Sequence, residues 1–186
     1  ELGKRTSTAD VEGEVIEEKE VSAKSLEEQY VKEILKTFIG KQEQTPPIYS
    51  AIKINGKKLY EYARKGQEVK LEPRQIEIYD IELLNINKTE KQISFRVQCS
   101  KGTYIRTLIN DIGETLGCGA VMTHLIRSKV GGFTLEDAYT LKQIEDAVKQ
   151  DTFKEILLPI DKVFSYPSGI ISPEASTRAI NGNPLV

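Results

Sequence analysis

The chain has 186 residues, of which 39% are hydrophobic and 29% are charged, with a net charge of −2 at pH 7. This length allows one domain with a substantial core, or one domain and the beginning of another. The absence of any apolar run near the roughly 20 residues that span a bilayer excludes a membrane-spanning helix, and the small net charge argues against a uniformly basic nucleic-acid-binding protein.

The first forty residues predict an edge strand and an amphipathic helix. Residues Glu1 to Arg5 include neither an initiator methionine nor the pattern of a secretory signal, so we expect the chain to be a piece of a longer protein. Weak alternation over Glu14 to Val21 predicts a strand at the edge of a sheet. The sequence Ser25-Leu-Glu-Glu28 has the form of a capping box and is followed by apolar residues at helical spacing, which predicts a helix from Ser25 to near Gly40.

The next segment combines aromatic and basic residues. Tyr49 to Ile54 predicts a strand, Asn55-Gly56 predicts a tight turn, and Lys57 to Lys65 predicts a short helix that stops at Gly66. The stretch from Lys53 to Arg74 holds seven basic and three acidic side chains, whereas residues 1 to 30 hold four basic and nine acidic ones. Such a charge run is typical either of a solvated face or of a surface that binds phosphate.

The rest of the chain predicts a long hairpin and several shorter elements. The elements are two strands, Arg74 to Ile86 and Lys91 to Cys99, then a helix from Thr103 to Leu116 that stops at Gly117, a strand from Ala120 to Val130 and a helix from Leu141 to Val148. From Ser165 onward, proline, serine and glycine predict a linker into a further domain. The pattern predicts an α+β fold in which a mixed, largely antiparallel sheet is flanked by helices.

Metal and redox chemistry find no support in the sequence. Cys99 and Cys118 are the two cysteines, neither lies in a CxxC motif, and His124 is the one histidine. Protein metal sites usually need several such ligands at short spacing. We therefore expect no metal, no cofactor, a reducing cytoplasmic location and a structural role for His124.

Four sequence motifs occur in a fixed order between residues 2 and 133. They are LGKRTSTAD at residues 2–10, YSAIK at 49–53 with GKKLYEYAR at 56–64, CSKGTYIRT at 99–107, and LIR at 125–127 with GF at 132–133. In this order and spacing they resemble the TruB family of tRNA pseudouridine-55 synthases. NGNP at residues 181–184 is similar to the beginning of that family's small C-terminal RNA-binding domain.

This resemblance implies a fold, an activity and a partner. Residues 1–164 would form the C-terminal portion of a pseudouridine synthase catalytic domain. This portion would include an RNA-clamping insertion at about 45–75, which becomes ordered when RNA binds. Residues 165–186 would form a linker and the start of a truncated C-terminal RNA-binding domain. The family isomerises uridine to pseudouridine in the T loop of tRNA, at position 55, without cofactor or metal. The resemblance implies the tRNA T stem-loop as the partner, and its target base must leave its stack and enter a pocket.

The resemblance also assigns roles to single residues. Tyr104 matches the active-site tyrosine, which stacks on the flipped base and serves in proton transfer, although a core tyrosine at a helix start is the other interpretation. Arg106 matches an arginine that pairs with the catalytic aspartate. Asp10 matches a second carboxylate that belongs to the same network of charged groups. In this chain the two residues are expected to pair with each other, the alternative being an ordinary surface ion pair. Leu125 matches an apolar residue that packs on the target base, the alternative being a core leucine on a strand.

The basic segment supplies the candidate RNA contacts. Its residues suit phosphate binding, while Tyr60 and Tyr62 either pack beneath it or stack on a base. Arg127 is expected to contact phosphate or to line the pocket. The candidate RNA-binding residues are Lys53, Lys57, Lys58, Tyr60, Arg64, Lys65 and Arg127.

The chain departs from the family in two respects. The family's catalytic aspartate lies in a Gly-x-Leu-Asp-Pro-x-Ala motif that precedes the first matched motif, and the 186 residues contain no such motif. The family's base-stacking tyrosine before Leu-Gly-x-Arg is likewise not among them. We expect this chain to be inactive alone. Its exposed sheet edge would be covered either by another polypeptide or by the remaining N-terminal part of the same protein.

Two further interpretations stay open. One is a module that binds and refolds tRNA without catalysis, and the other is a sibling synthase that modifies ribosomal RNA with guide RNAs. The basic insertion favours the stand-alone tRNA enzymes, because guided members reach their target through partners.

Overall fold

A computed structural model of the chain describes residues 1–67, 69–164, 166–167 and 169–184. They form two compact units, Glu1–Leu125 and Ile126–Val186. None of the described helices combines the length and the apolarity needed to cross a membrane.

The first unit begins with an antiparallel ribbon of β1 (Lys4–Thr6) and β2 (Val15–Glu18). The strand predicted over residues 14–21 is therefore shorter than expected, and it pairs in this ribbon rather than at the edge of the main sheet. A 3-10 turn at Lys24–Leu26 then leads into helix α1 (Glu28–Thr37), which buries Val31 and Leu35 completely.

The predicted capping box at Ser25 is wrong. The N-cap of α1 is Glu27, whose side chain makes no capping bond, and Ser25 lies in the preceding 3-10 turn. The Ser25 side chain is buried, and its hydroxyl donates to the Leu116 carbonyl at 3.3 Å. A buried hydroxyl takes the partner that tertiary packing provides, and here that partner lies 91 residues away.

The segment after α1 contains a strand that the sequence did not predict and a small hairpin. Strand β3 (Gly40–Gln44) is followed by the hairpin of β4 (Lys53–Ile54) and β5 (Lys57–Lys58), and then by helix α2 (Leu59–Ala63). The Asn-Gly turn is confirmed, because Asn55 (φ 50°) and Gly56 (φ 79°) both adopt the left-handed conformation of a type I′ turn.

The strand predicted from Tyr49 and the helix predicted from Lys57 are both longer than the observed elements. The carbonyls of Ser50 and Ile52 accept the backbone N–H groups of Tyr60 (3.2 Å) and Leu59 (2.8 Å). The residues before β4 therefore bond to the start of α2. As a result the strand begins later than predicted, at Lys53, and the helix begins later than predicted, at Leu59.

The main sheet is antiparallel in the order β3-β6-β7. Its long strands β6 (Arg74–Asn87) and β7 (Gln92–Cys99) form the predicted hairpin. Helix α3 (Ile105–Thr115) follows, and its chain turns away at Gly117 (φ 83°), as predicted. A core of residues from α1, β6 and α3 packs between the helices and the sheet, which confirms the α+β class.

The strand predicted from Ala120 to Val130 is wrong. This stretch makes isolated bridges, Leu2 with Ala120 and Asp10 with Met122, and residues 123–130 are exposed. Of the predicted strand, only Lys129–Val130 form one. Val121 is fully buried, and its N–H bonds to the Glu1 carbonyl at 2.9 Å. The apolar residues at the start of this stretch therefore serve a short tertiary contact and not a strand.

The second unit consists of short elements. They are β8 (Lys129–Val130), β9 (Phe133–Thr134), α4 (Leu141–Lys149), α5 (Phe153–Ile156), α6 (Ile160–Val163) and α7 (Pro173–Ile180). The predicted helix at 141–148 is confirmed. Helix α7 lies within residues 165–186, which were predicted as a linker and the start of a further domain. The proposed boundary residue Ser165 and the final residues 185–186 lie outside the described residues, so the division into domains at that point stays a prediction.

Helix α3 carries a half-buried carboxylate at Asp111. Burial is the main cause that raises the pKa of Asp111 above its ordinary value, and the charge of Glu114 adds to this effect. A raised pKa means that the folded chain binds the proton more tightly than the unfolded chain, so folding stability is lost as the pH rises from about 4 and the carboxyl ionises. We expect Asp111→Asn to raise the melting temperature, with a gain that grows from acidic to neutral pH.

Asp137 provides a control, because its pKa is shifted in the opposite direction. Hydrogen bonds from the backbone and hydroxyl of Thr134 lower the pKa of Asp137. The stability that this carboxylate contributes is present above its unfolded pKa and is lost as the pH falls. Asp137→Asn should therefore lower the melting temperature at neutral pH and converge with the parent protein at acidic pH. A gain for Asp111→Asn that does not change with pH would contradict the explanation by burial.

Candidate functional site

The guanidinium of Arg106 joins three separate segments of the first unit. Its Nη1 donates to the Thr8 carbonyl (2.9 Å) and to Oδ2 of Asp10 (3.1 Å), and its Nη2 donates to the Tyr49 carbonyl (2.7 Å). The Arg106 and Asp10 side chains are only 22% and 20% exposed. The expected pair is therefore present, and it is more enclosed than an ordinary surface ion pair.

Asp10 is held in place by its own loop. Its Oδ1 accepts the Thr8 hydroxyl (2.6 Å) and the Glu12 N–H (3.2 Å), while Oδ2 receives Arg106. Backbone bonds on either side of Asp10, from Val11 N–H to Met122 and from Met122 N–H to Ala9, fix the loop at 3.1 Å each. Because both carboxylate oxygens have partners, this geometry suits orientation of Arg106 better than it suits nucleophilic attack.

Tyr104 stands directly before α3 as its N-cap residue. The residue is partly exposed. Its backbone N–H donates to Oε1 of Gln44 (2.8 Å), and its carbonyl accepts Nε2 of Gln44 (3.1 Å). Gln44 was not among the predicted site residues, because a single glutamine in a polar stretch carries no signal of burial.

The hairpin and α2 present a cationic surface around one aromatic ring. The Lys58 Nζ and the Arg64 Cζ each lie 5.4 Å from the centroid of the Tyr60 ring, a distance at which cations are attracted to a ring face. Tyr62 instead donates its hydroxyl to the Ile54 carbonyl at 3.0 Å, which ties it to the hairpin. Of the two tyrosines, Tyr60 is thus the one whose position suits stacking on a base. The remaining basic candidates of this segment, Lys53, Lys57 and Lys65, are exposed.

This cationic surface is connected to the Arg106 network through two adjacent residues. The Tyr49 carbonyl accepts Arg106, and the next carbonyl, that of Ser50, accepts the N–H of Tyr60. Two consecutive carbonyls therefore link the Arg106 side chain to the backbone of Tyr60.

The remaining candidates, Leu125 and Arg127, flank the boundary between the two units in the chain. Leu125 ends the first unit and is 48% exposed. Arg127 belongs to the second unit and is exposed. Their roles at the site stay predictions. Across the described ranges, no three side chains of histidine, cysteine, aspartate or glutamate are grouped as metal ligands would be.

Comparison with known proteins gives consistent matches along the chain. Residues 1–105 match the family model described as TruB family pseudouridylate synthase (N terminal domain), and residues 106–165 match that described as tRNA pseudouridylate synthase B C-terminal domain. The tRNA pseudouridine synthase B of Alkaliphilus oremlandii is 43% identical over 99% of this chain and 59% of that protein. Its counterpart in Bacillus velezensis is 45% identical over 98% of this chain and 60% of that protein. The chain thus spans about three-fifths of the length of these relatives.

Two solved structures resemble the chain as well. A chain in the crystal structure of a Cbf5-Nop10-Gar1 complex aligns with a TM-score of 0.58 and 32% identity, over 73% of this chain and 38% of that one. A chain in an H/ACA RNP bound to a substrate RNA containing 2′-deoxyuridine aligns with a TM-score of 0.54 and 25% identity, over 87% of this chain and 39% of that one.

Proposed function

The chain belongs to the TruB family of pseudouridylate synthases, and we propose that the protein that carries it isomerises uridine to pseudouridine in the T loop of tRNA, in the cytoplasm. The relatives named tRNA pseudouridine synthase B support this substrate. The observation that carries the proposal is the enclosed Arg106 network, two residues beyond the partly exposed Tyr104.

Arg106 retains the donors that a second carboxylate needs. Within the described residues it uses three of its N–H groups, two on Nη1 and one on Nη2. A guanidinium has five N–H donors, so the Nε–H and one Nη2–H remain, and two N–H groups are what a carboxylate takes in a bidentate pair. Arg106 would thus orient the family's catalytic aspartate while Asp10 and two carbonyls fix its own position.

Tyr104 supplies the contact to the base in this proposal. The reaction breaks the bond between N1 of uracil and C1′ of ribose and forms a bond from C5 to C1′. C5 loses its proton and N1 gains one, so the formula of the nucleoside is unchanged. The base leaves its stack, so an aromatic ring at the pocket compensates for the missing stacking, and a phenol at that place can accept or pass on the proton. The family resemblance adds Leu125 as an apolar contact of the base and Arg127 as a phosphate contact.

The test is release of tritium from a T stem-loop RNA whose target uridine is labelled at carbon 5. We expect release by the protein at its natural length and none by the 186-residue chain, which contains no Gly-x-Leu-Asp-Pro-x-Ala motif. RNA binding by the natural-length protein without any release would support the binding-module alternative. Release from a guided ribosomal RNA, but not from tRNA, would support the sibling specificity.

The cationic surface around Tyr60 predicts a particular salt dependence of RNA binding. Removing the partner of one phosphate should reduce the slope of log K against log salt by about 0.7 for single-stranded RNA. We expect the double variant Lys57→Ala, Lys65→Ala to reduce the slope by about 1.4. The matched control is Lys36→Ala, Lys41→Ala, which removes two exposed lysines of the same unit outside the proposed surface. Equal reductions in both double variants would mean that the effect comes from net charge alone.

A further inference from the structure

Gln44 makes an unusual connection between the main sheet and the candidate site. It is the last residue of β3, it is only 5% exposed, and its side chain bonds to both backbone groups of a residue 60 positions later. The amide thus imitates one rung of a β-ladder, with its Oε1 on the N–H of Tyr104 and its Nε2 on the carbonyl of Tyr104.

The chemistry of this contact requires an amide of this length. Glutamate would keep the acceptor for the Tyr104 N–H but would set an ionised oxygen against the Tyr104 carbonyl. Methionine has similar length and makes neither bond. Asparagine is one methylene shorter and cannot span the same distance. Loss of the amide removes the partner of the Tyr104 N–H, which is costly, so the backbone of Tyr104 would shift to find another partner.

The Gln44 side chain bonds to the backbone at the residue where the chain turns into α3. The Tyr104 carbonyl also accepts the N–H of Leu108 at 3.0 Å, the first bond along α3. Tyr104 itself is extended (φ −94°, ψ 108°), so the chain changes direction at this residue. Arg106 anchors the following turn to Thr8, Asp10 and Tyr49, and Gln44 anchors the turn's beginning to β3.

We propose that Gln44 is a positioning residue for the isomerisation: its side-chain amide holds the backbone of Tyr104 so that the tyrosine ring meets the target base in the reactive orientation. This inference rests on the proposed function. It assigns to Gln44 no contact with the RNA, so the rate of the chemical step should depend on Gln44 while RNA affinity should not.

The first experiment uses Gln44→Met in the natural-length protein with the labelled T stem-loop RNA. We expect kcat to fall about tenfold to a hundredfold, as misplacements near 1 Å do, with KM within about twofold of the parent. The matched control is Gln42→Met on the same face of β3, which removes a single bond to the Phe38 carbonyl and should keep its kcat. Gln44→Glu, which retains one of the two bonds, should fall between Gln44→Met and the parent.

A second measurement detects the connection without using activity. Hydrogen exchange at the Tyr104 amide should accelerate in Gln44→Met and stay unchanged in Gln42→Met. If Gln44→Met fails to fold, Gln44→Glu decides by the same two measurements. An unchanged kcat in a folded Gln44 variant of an active protein overturns the inference. Absence of turnover by the parent protein instead overturns the proposed function, and the exchange rates still show whether Gln44 holds Tyr104.

Discussion

Replacement of Arg106 by alanine is expected to abolish pseudouridine formation by the natural-length protein and to lower its free energy of unfolding by roughly 3 kcal/mol. The guanidinium satisfies the Asp10 carboxylate and the carbonyls of Thr8 and Tyr49, all within 3.1 Å. Removal leaves a charge that is 20% exposed without its cation. The loop of Asp10 and the backbone before the hairpin would no longer share an anchor, so both the rate and the stability should fall.

The matched control is Arg96→Ala. Arg96 also pairs with a carboxylate at 3.1 Å, that of Glu82, but the two side chains are 68% and 54% exposed. Such a pair contributes between about 0 and 1 kcal/mol, and activity should remain. Arg106→Lys separates charge from geometry, because a single ammonium cannot make the planar contacts of a guanidinium, and we expect it to stay inactive. Full activity in Arg106→Lys would contradict the role of the planar guanidinium contacts.

Gly113→Ala is expected to destabilise the natural-length protein by about 3 kcal/mol, although alanine ordinarily stabilises a helix relative to glycine by about 1 kcal/mol. Gly113 lies buried in α3, where a Cβ would overlap the backbone of Gly119 and Ala120 and would approach the Ala120 Cβ to 2.6 Å. Backbone atoms cannot swing aside as a flexible side chain can, so either the helix or the 119–120 segment must move.

The control for this substitution is Gly132→Ala. Apart from its chain neighbours, no described residue places a heavy atom within 4 Å of a Cβ at Gly132, and no left-handed φ constrains that glycine. The melting temperature of Gly132→Ala should therefore stay close to that of the parent. If Gly113→Ala melts at or above the parent temperature, the tight packing of α3 against residues 119–120 is not present in solution.

Elements with strong local signals were predicted well from the sequence. The hairpin of β6 and β7 follows from period-two apolar residues, α3 from helical spacing before Gly117, and the turn from Asn55-Gly56. Strand β3 was missed because Gly-Lys-Gln-Glu-Gln has almost no apolar side chain, and pairing with β6 over Gly40–Gln44 decides its conformation. Distant partners override local preference in such stretches.

In the candidate site, too, some contacts were predictable from the sequence and others depend on the fold. Asp10 and Arg106 were predicted as a pair because charged side chains within motifs are visible in a sequence. The carbonyls of Thr8 and Tyr49 have no sequence signature, since every residue carries one. Gln44 was invisible for a related reason: glutamine is usually exposed, and only the fold shows that this one is buried against Tyr104.

The two backbone bonds at the base of the small hairpin, from Tyr60 to Ser50 and from Leu59 to Ile52, have a consequence for protein engineering. They fix both stems below the tip at residues 53–58. The tip can therefore be exchanged for a longer or differently charged loop while the Tyr49 carbonyl keeps its bond to Arg106. Under the proposed function, we expect chimaeras with junctions after Ile52 and before Leu59 to change the choice of RNA and to keep the chemical step.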